Sequence, residues 1–183
     1  MQRRIILFLC VLDLWKAAML QDECQITQIL NGKLLYDNRL LYMEDNFPLD
    51  YKLYVTYEDV LRYQNITSLI KQGITVKELR YLWGIVNEGI LLKIKAVLRE
   101  KHPSFTYVSD LLTIFKALMD TQREREMETN TTIMQDILER RRIPDAIGKP
   151  VRPKALMDNC FKVLYALYEE ECGLCNPSYI LSL

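Results

Sequence analysis

Residues 151–168, VRPKALMDNCFKVLYALY, place Ala155/Leu156, Cys160, Val163/Leu164 and Leu167/Tyr168 at the three- and four-residue spacing of one helical face. Pro153 suits the first turn of that helix, where its missing N–H costs nothing. A helix with such a stripe cannot stand alone in water. It needs partners of comparable length, and three other stretches of the chain supply them.

The first, helix A, is expected from Cys24 to about Asp45, with Ile26, Ile29/Leu30, Leu34 and Leu41 inward and Asn31-Gly32 interrupting the pattern. Asn46-Phe47-Pro48 ends it, because the residue before a proline avoids helical angles. Helix B opens on Thr75-Val-Lys-Glu78, a capping box. It continues through Leu79, Leu82/Trp83, Val86, Ile90, Ile94 and Val97/Leu98 to about Lys101. Helix C begins at once, with Ser104 as its cap after His102-Pro103. Its inner face is Phe105, Val108, Leu111/Leu112, Phe115 and Leu118/Met119, and it fades into the charged run Gln122–Glu128.

Connection lengths then decide topology. Only a few residues separate B from C, so those helices are antiparallel neighbours. The A–B connection (46–74) and the C–D connection (128–152) are long enough to travel the length of a bundle. One short and two long connections predict an all-α, four-helix bundle with the up-up-down-down topology of short-chain cytokines. The crossovers carry minor elements. Tyr51, Leu53 and Val55 alternate with Lys52, Tyr54 and Thr56 as a short strand does. Tyr57–Tyr63, Thr67–Gln72 and Thr132–Arg141 read as short helices, and Pro144, Gly148 and Pro150 hold the second crossover open.

The N-terminus stands apart. Met1-Gln-Arg-Arg is a positive n-region, Ile5–Leu12 an apolar core, and Ala17-Ala18 a small pair before Gln21-Asp22-Glu23. This pattern predicts a secretory signal peptide over residues 1–20 and a helical domain over 21–183. No later apolar run reaches the ~18 residues that span a membrane, so a released, extracellular protein with no membrane insertion is expected. Lys and Arg number 24, as do Asp and Glu. A near-neutral chain has no general drive toward nucleic acid.

Cys10 leaves with the signal, so the mature chain holds Cys24, Cys160, Cys172 and Cys175, with three full pairings open. Helices A and D run opposite ways in the expected bundle. The start of A and the end of D therefore share one pole, and a Cys24–Cys172 bridge fits. Cys160 lies about 18 Å before Cys172 along helix D. It reads as a buried free thiol, and Cys175 as a competitor for Cys24 or a free thiol. Cys172-Gly-Leu-Cys175 has the spacing of a redox pair but lacks the βαβ context such pairs use.

Catalytic signals are sparse. His102 is the single histidine and has no evident nucleophile beside it in sequence. Gly-rich phosphate loops and zinc spacings do not occur, so an enzyme is not expected and no cofactor is implied. Two N-glycosylation sequons, at Asn65 and Asn130, fall in the two crossovers, where an acceptor is exposed. Arg140, Arg141 and Arg142, followed by Lys149, Arg152 and Lys154, form a basic zone. Its ordinary reading is a set of dipole partners near a helix C-terminus, and the sharper reading is a sulfated-glycan patch.

Several strings together resemble the interleukin-34 family, ligands of the macrophage colony-stimulating factor receptor. They are Leu41-Tyr-Met43 with Phe47-Pro48 and Asp50-Tyr51-Lys52, Tyr57-Glu58, Glu78-Leu-Arg-Tyr-Leu-Trp83, His102-Pro-Ser104, and Val151-Arg-Pro-Lys-Ala-Leu156 through Asp158-Asn-Cys-Phe161. The similarity runs from about Cys24 to Cys172. Asn65 falls where the family carries a glycan, and Cys24 and Cys172 fall where it carries a bridge. Where the family has a cysteine cluster ending the last helix, this chain has Glu169-Glu-Glu171 and then Cys172. The resemblance implies a secreted, non-covalent homodimeric cytokine without cofactor. It also implies binding and dimerising of that receptor, signalling in monocytes and macrophages, and proteoglycan partners.

For a receptor contact, the outward side of late helix B and the B–C turn offers Glu88, Leu92, Lys95, Arg99 and Glu100, all off the apolar stripe. Two other readings make different demands. A secreted carrier of an apolar ligand requires an internal cavity. A glycan-binding extracellular protein requires binding through Arg140–Arg142 that collapses in salt.

Overall fold

A computed structural model describes residues 22–56, 59–123, 135, 136, 138, 139 and 148–174. Helix α1 occupies residues 22–33 and stops at Leu34–Leu35. The chain resumes as α2 (Tyr36–Leu40), which opens into a π-helical turn over Leu41–Asp45. The single rod expected over 24–45 is therefore broken. Ile29 and Leu41, assigned inward, are 57% and 46% exposed, while Leu30, Leu34 and Met43 are buried. Beyond the break Arg39, Met43 and Phe47 are the buried positions, spaced four residues apart.

Three long helices follow, α4 (Val76–Val97), α5 (Ser104–Arg123) and α6 (Pro153–Cys172), with a short α3 (Ile66–Lys71) before them. The Thr75 capping box forms as the sequence predicts. Thr75 Oγ1 accepts from the Glu78 N–H at 3.2 Å and the Glu78 carboxylate accepts from the Thr75 N–H at 2.8 Å. α4 ends at Val97, four residues short of the expected Lys101, because Leu98 turns extended. α6 stops at Gly173, whose φ of 58° is the left-handed cap that glycine adopts without strain.

Side-chain contacts fix the directions. Along α1, Glu23 meets Gln122 and Lys33 meets Asp110, so α5 runs against it. Glu23 also meets Tyr168 and Asn31 meets Tyr165, so α6 runs against it too. On α4, a Cβ at Gly84 would lie 3.0 Å from Met119, and Lys95 lies over Phe105, so α4 and α5 are antiparallel. α1 and α4 thus point one way and α5 and α6 the other, the expected up-up-down-down order. The bundle axis is filled by Trp83, Phe115 and Tyr168, with ring centroids 5.1 and 5.8 Å from the indole. Leu30, Leu34, Leu79, Ile94, Leu111, Leu118 and Cys160 close around them. On α6 the expected face is buried except for Ala155, which is exposed.

The crossovers meet each other. β1 (Leu53–Val55) is the expected strand, and it pairs antiparallel with β2 (Lys149–Val151), Tyr54 opposite Pro150. Lys149–Val151 is thus a strand where Pro144, Gly148 and Pro150 predict open chain. A two-stranded ribbon tolerates proline at its edge. Gly148 allows the approach, since a Cβ there would sit 2.9 Å from the Val55 nitrogen. The first crossover is pinned twice more. Asp59 accepts from the Thr56 N–H and from Lys93 on α4, and Asn159 on α6 bonds Leu61 and Tyr63. Tyr57–Tyr63 holds no helix among its described residues; a 3-10 turn begins only at Tyr63 and leads through Asn65 into α3. Of the expected helix over Thr132–Arg141, residues 135, 136, 138 and 139 are helical and the others lie outside the described residues. Among the described residues, no helix is long and apolar enough to cross a membrane.

Candidate functional site

Late α4 presents Glu88, Leu92 and Lys95 at four- and three-residue steps, and the turn beyond it adds Arg99 and Glu100. Glu88 and Lys95 lie against α5, while Arg99 and Glu100 sit on the turn that follows α4. Leu92 is 50% exposed, and Arg99 and Glu100 are exposed. Glu88 and Lys95 are half-buried. Lys95 lays its ammonium 5.0 Å from the centroid of the Phe105 ring, and Glu88 lines an open recess of about 160 Å³ with Lys116, Met119, Asp120 and Arg123. The face therefore continues onto α5 through Lys116 and Asp120, which helical spacing along α4 alone does not point to. Val97, assigned to the core, is 56% exposed beside it. The early end of α4 explains this, because no further turn of helix covers that position.

The α4–α5 turn is organised by His102. Its Nδ1 accepts from the Ser104 backbone N–H at 3.1 Å, and its Nε2 lies 3.0 Å from the Asn46 carbonyl oxygen. A backbone N–H only donates and a carbonyl only accepts, so the ring is the neutral tautomer with its proton on Nε2. Ser104 is thus not the cap expected of it. Its hydroxyl is buried without a hydrogen bond, and the His102 ring takes the capping role. The imidazole also packs 5.5 Å from the Phe47 ring, tying the α4–α5 turn to the end of the π-helical turn.

At the other pole the disulfide forms as expected, Cys24 to Cys172 with Cα atoms 5.1 Å apart. Beside it, Tyr168 donates to buried Glu23 at 3.0 Å, and Gln122 donates to both. Burial first, then the Glu23 charge, holds the Tyr168 phenol well above its ordinary range. Arg80 donates twice to the Leu167 carbonyl, pairs with Glu171 and lies 4.3 Å from the centroid of the Tyr168 ring. Cys160 is the buried free thiol the sequence predicts, and burial pushes it well above the usual thiol range. A buried neutral thiol is neither nucleophile nor ligand. Among the described residues no cluster of side chains is arranged to hold a metal ion.

Asn65 sits half-buried at the N-cap of α3, with Thr67 of its sequon exposed. Asn130, Arg140, Arg141, Arg142 and Cys175 lie outside the described residues. Lys149 and Arg152 are exposed, and Arg152 and Lys154 both face Glu44.

Four helices in up-up-down-down order, with two long crossovers joined by a small antiparallel ribbon, define a short-chain helical cytokine. The family model described as Interleukin 34 matches residues 17–176, and the chain belongs to that family. It is a family of cytokines, not of enzymes.

Proposed function

We propose that this cytokine is secreted and, as a non-covalent two-fold homodimer, binds and dimerises the macrophage colony-stimulating factor receptor. The outcome is survival, proliferation and differentiation of monocytes and macrophages. The mechanism is geometric. A two-fold dimer offers one patch twice and so brings two receptors together. Family membership supports the receptor class, and the patch assigned is Glu88, Leu92, Lys95, Arg99 and Glu100. The observation that carries the patch is Leu92, half-exposed on a regular helix between two charged side chains. An apolar centre inside a charged rim is the usual anatomy of a protein contact.

The test is receptor phosphorylation in cells carrying that receptor, with and without purified protein. Dose-dependent phosphorylation is expected, and Leu92→Asp should weaken receptor binding by about tenfold or more while leaving the fold intact. No phosphorylation at saturating dose rejects the reading. Asn65 is the proposed glycan acceptor on the first crossover, with Asn130 the second, and loss of mass on enzymatic deglycosylation, mapped by peptide, tests both. Arg140, Arg141 and Arg142 are the proposed proteoglycan contact, and heparin-column retention that survives their replacement would remove that role.

A further inference from the structure

His102 holds two separate pieces of backbone with its two ring nitrogens, and neither backbone group can exchange its role. The Ser104 N–H at 3.1 Å needs a bare Nδ1, and the Asn46 carbonyl at 3.0 Å needs the Nε2 proton. Adding a second proton puts an N–H on Nδ1, facing another N–H. It also puts a full positive charge at the first turn of α5, a 20-residue helix whose N-terminal end already carries positive dipole. The cap on α5 is then lost.

Compensation is lacking nearby. Among the described residues no carboxylate forms an ion pair with the ring. The charged neighbours on its own turn are Arg99, Glu100 and Lys101, those flanking the Asn46–Phe47 segment are Asp45 and Asp50, and the first turn of α5 holds none. His102 is also the single histidine of the chain, so no second imidazole shares its response. Imidazoles ordinarily change charge between pH 5 and 8.

From this we infer that His102 is an acid-sensitive cap on the first turn of α5, anchored through Nε2 on the Asn46 carbonyl. The neutral ring holds the Ser104 amide where the turn carrying Arg99 and Glu100 enters α5, and the protonated ring keeps its Asn46 bond but loses that hold. Resting on the receptor reading above, the consequence is that the contact face is ordered in neutral extracellular fluid and loosened in an acidified compartment. The loss of one backbone hydrogen bond corresponds to roughly a fivefold change in equilibrium.

Nuclear magnetic resonance of the full secreted chain from pH 7.5 to 5.0 tests the cap without any receptor. The His102 ring and the Ser104 amide should shift together with one midpoint. In His102→Asn the Ser104 amide should stay in place, because an Asn oxygen accepts from the N–H two residues on and does not titrate in that range. A Ser104 amide that holds its shift while the ring titrates overturns the inference. The second measurement is binding to the immobilised receptor ectodomain at pH 7.4 and 5.5. Wild type should weaken by roughly fivefold or more, and His102→Asn by clearly less. Equal weakening in both proteins overturns the link to the contact face. If neither protein binds at either pH, the receptor reading fails, and the resonance titration still decides the cap.

Discussion

The Arg39 guanidinium donates to the carbonyl of Leu34, five residues back, at 2.8 Å. This bond closes the end of α1. A helix leaves its last carbonyls without partners, and here those of Gly32, Lys33 and the following Leu34 receive side chains. Asn38 donates to Gly32 and Lys33, Tyr107 donates to Lys33, and Arg39 serves Leu34. The same guanidinium pairs with Asp158 at 2.9 Å and lies 4.3 Å from the centroid of the Phe161 ring, so the break in the first rod is fastened to α6.

Arg39→Leu should therefore destabilise the fold by about 2–3 kcal/mol, read as a lower urea midpoint at unchanged slope. Asp158 keeps Lys154 at 2.8 Å, so the loss comes mainly from the orphaned Leu34 carbonyl and the bare Phe161 face. Arg39→Lys should recover little, since an ammonium cannot fork to a carbonyl and a carboxylate while stacking on a ring. A change below about 0.5 kcal/mol would show that the break holds by backbone preference alone.

What the sequence made legible was mostly periodic. Trp83, Val86, Ile90 and Ile94 on α4, and Val108, Leu111 and Phe115 on α5, follow a 3.6-residue pattern to the core because a long helix forces one face inward. The Cys24–Cys172 bridge followed from topology, and so did its pole. The break at Leu34–Leu35 was hidden because its cause lies in residues brought from elsewhere, Tyr107 and Asp158 among them. β2 was hidden because its partner strand is about a hundred residues away and Pro150 argues locally against a strand. Of the candidate site, the α4 half was readable as residues off the stripe. The α5 half, Lys116 and Asp120, needed the interhelical seam. His102 looked idle in sequence because its partners are backbone atoms, which carry no residue-type signal.

Gly148 and Gly32 should respond oppositely to alanine. At Gly148 the added Cβ meets backbone of Val55 and Tyr54 at 2.9–3.2 Å, and backbone cannot swing aside. Gly148→Ala should cost about 1–3 kcal/mol and expose the β1–β2 amides to hydrogen exchange. At Gly32, in the last turn of α1, nothing lies within 4 Å of the new atom. Gly32→Ala should stabilise by about 0.5–1 kcal/mol in the same urea titration.

Arg80 links α4 to the last turns of α6 through the Leu167 carbonyl, Glu171 and the Tyr168 ring. Lysine supplies the charge without the planar fork. Arg80→Lys should lose about 1–2 kcal/mol, and Arg80→Ala about 2–4 kcal/mol, because the guanidinium is buried and its stem packs on Tyr168. The Arg80/Glu171 double-mutant cycle should give a coupling below about 1 kcal/mol, since the Glu171 side chain is 39% exposed and screened by water. A larger coupling would move the stabilisation from the stacked, carbonyl-bound guanidinium to the ion pair.

Cys160, Tyr107 and Tyr168 all have their acid forms favoured by the fold, burial being the first cause in each. The sign is common to the three. Their folded-state values lie above the unfolded ones, near 9.0 for a thiol and 10.0 for a phenol, so the contribution is complete below about pH 9 and is lost as pH rises. The urea midpoint should be flat in this respect from pH 7 to 8.5 and fall steadily above pH 9. Iodoacetamide at pH 8 should leave the Cys160 peptide unmodified in the native protein and alkylate it fully in urea, as read by mass spectrometry of the digest. Labelling of native Cys160 at a rate near that of an exposed thiol would mean that α6 opens away from Trp83 far more often than its packing implies. Replacing Cys160 by serine should not mimic the wild type, because it puts a more polar hydroxyl at a fully buried position in the apolar core, and it should cost about 1–3 kcal/mol.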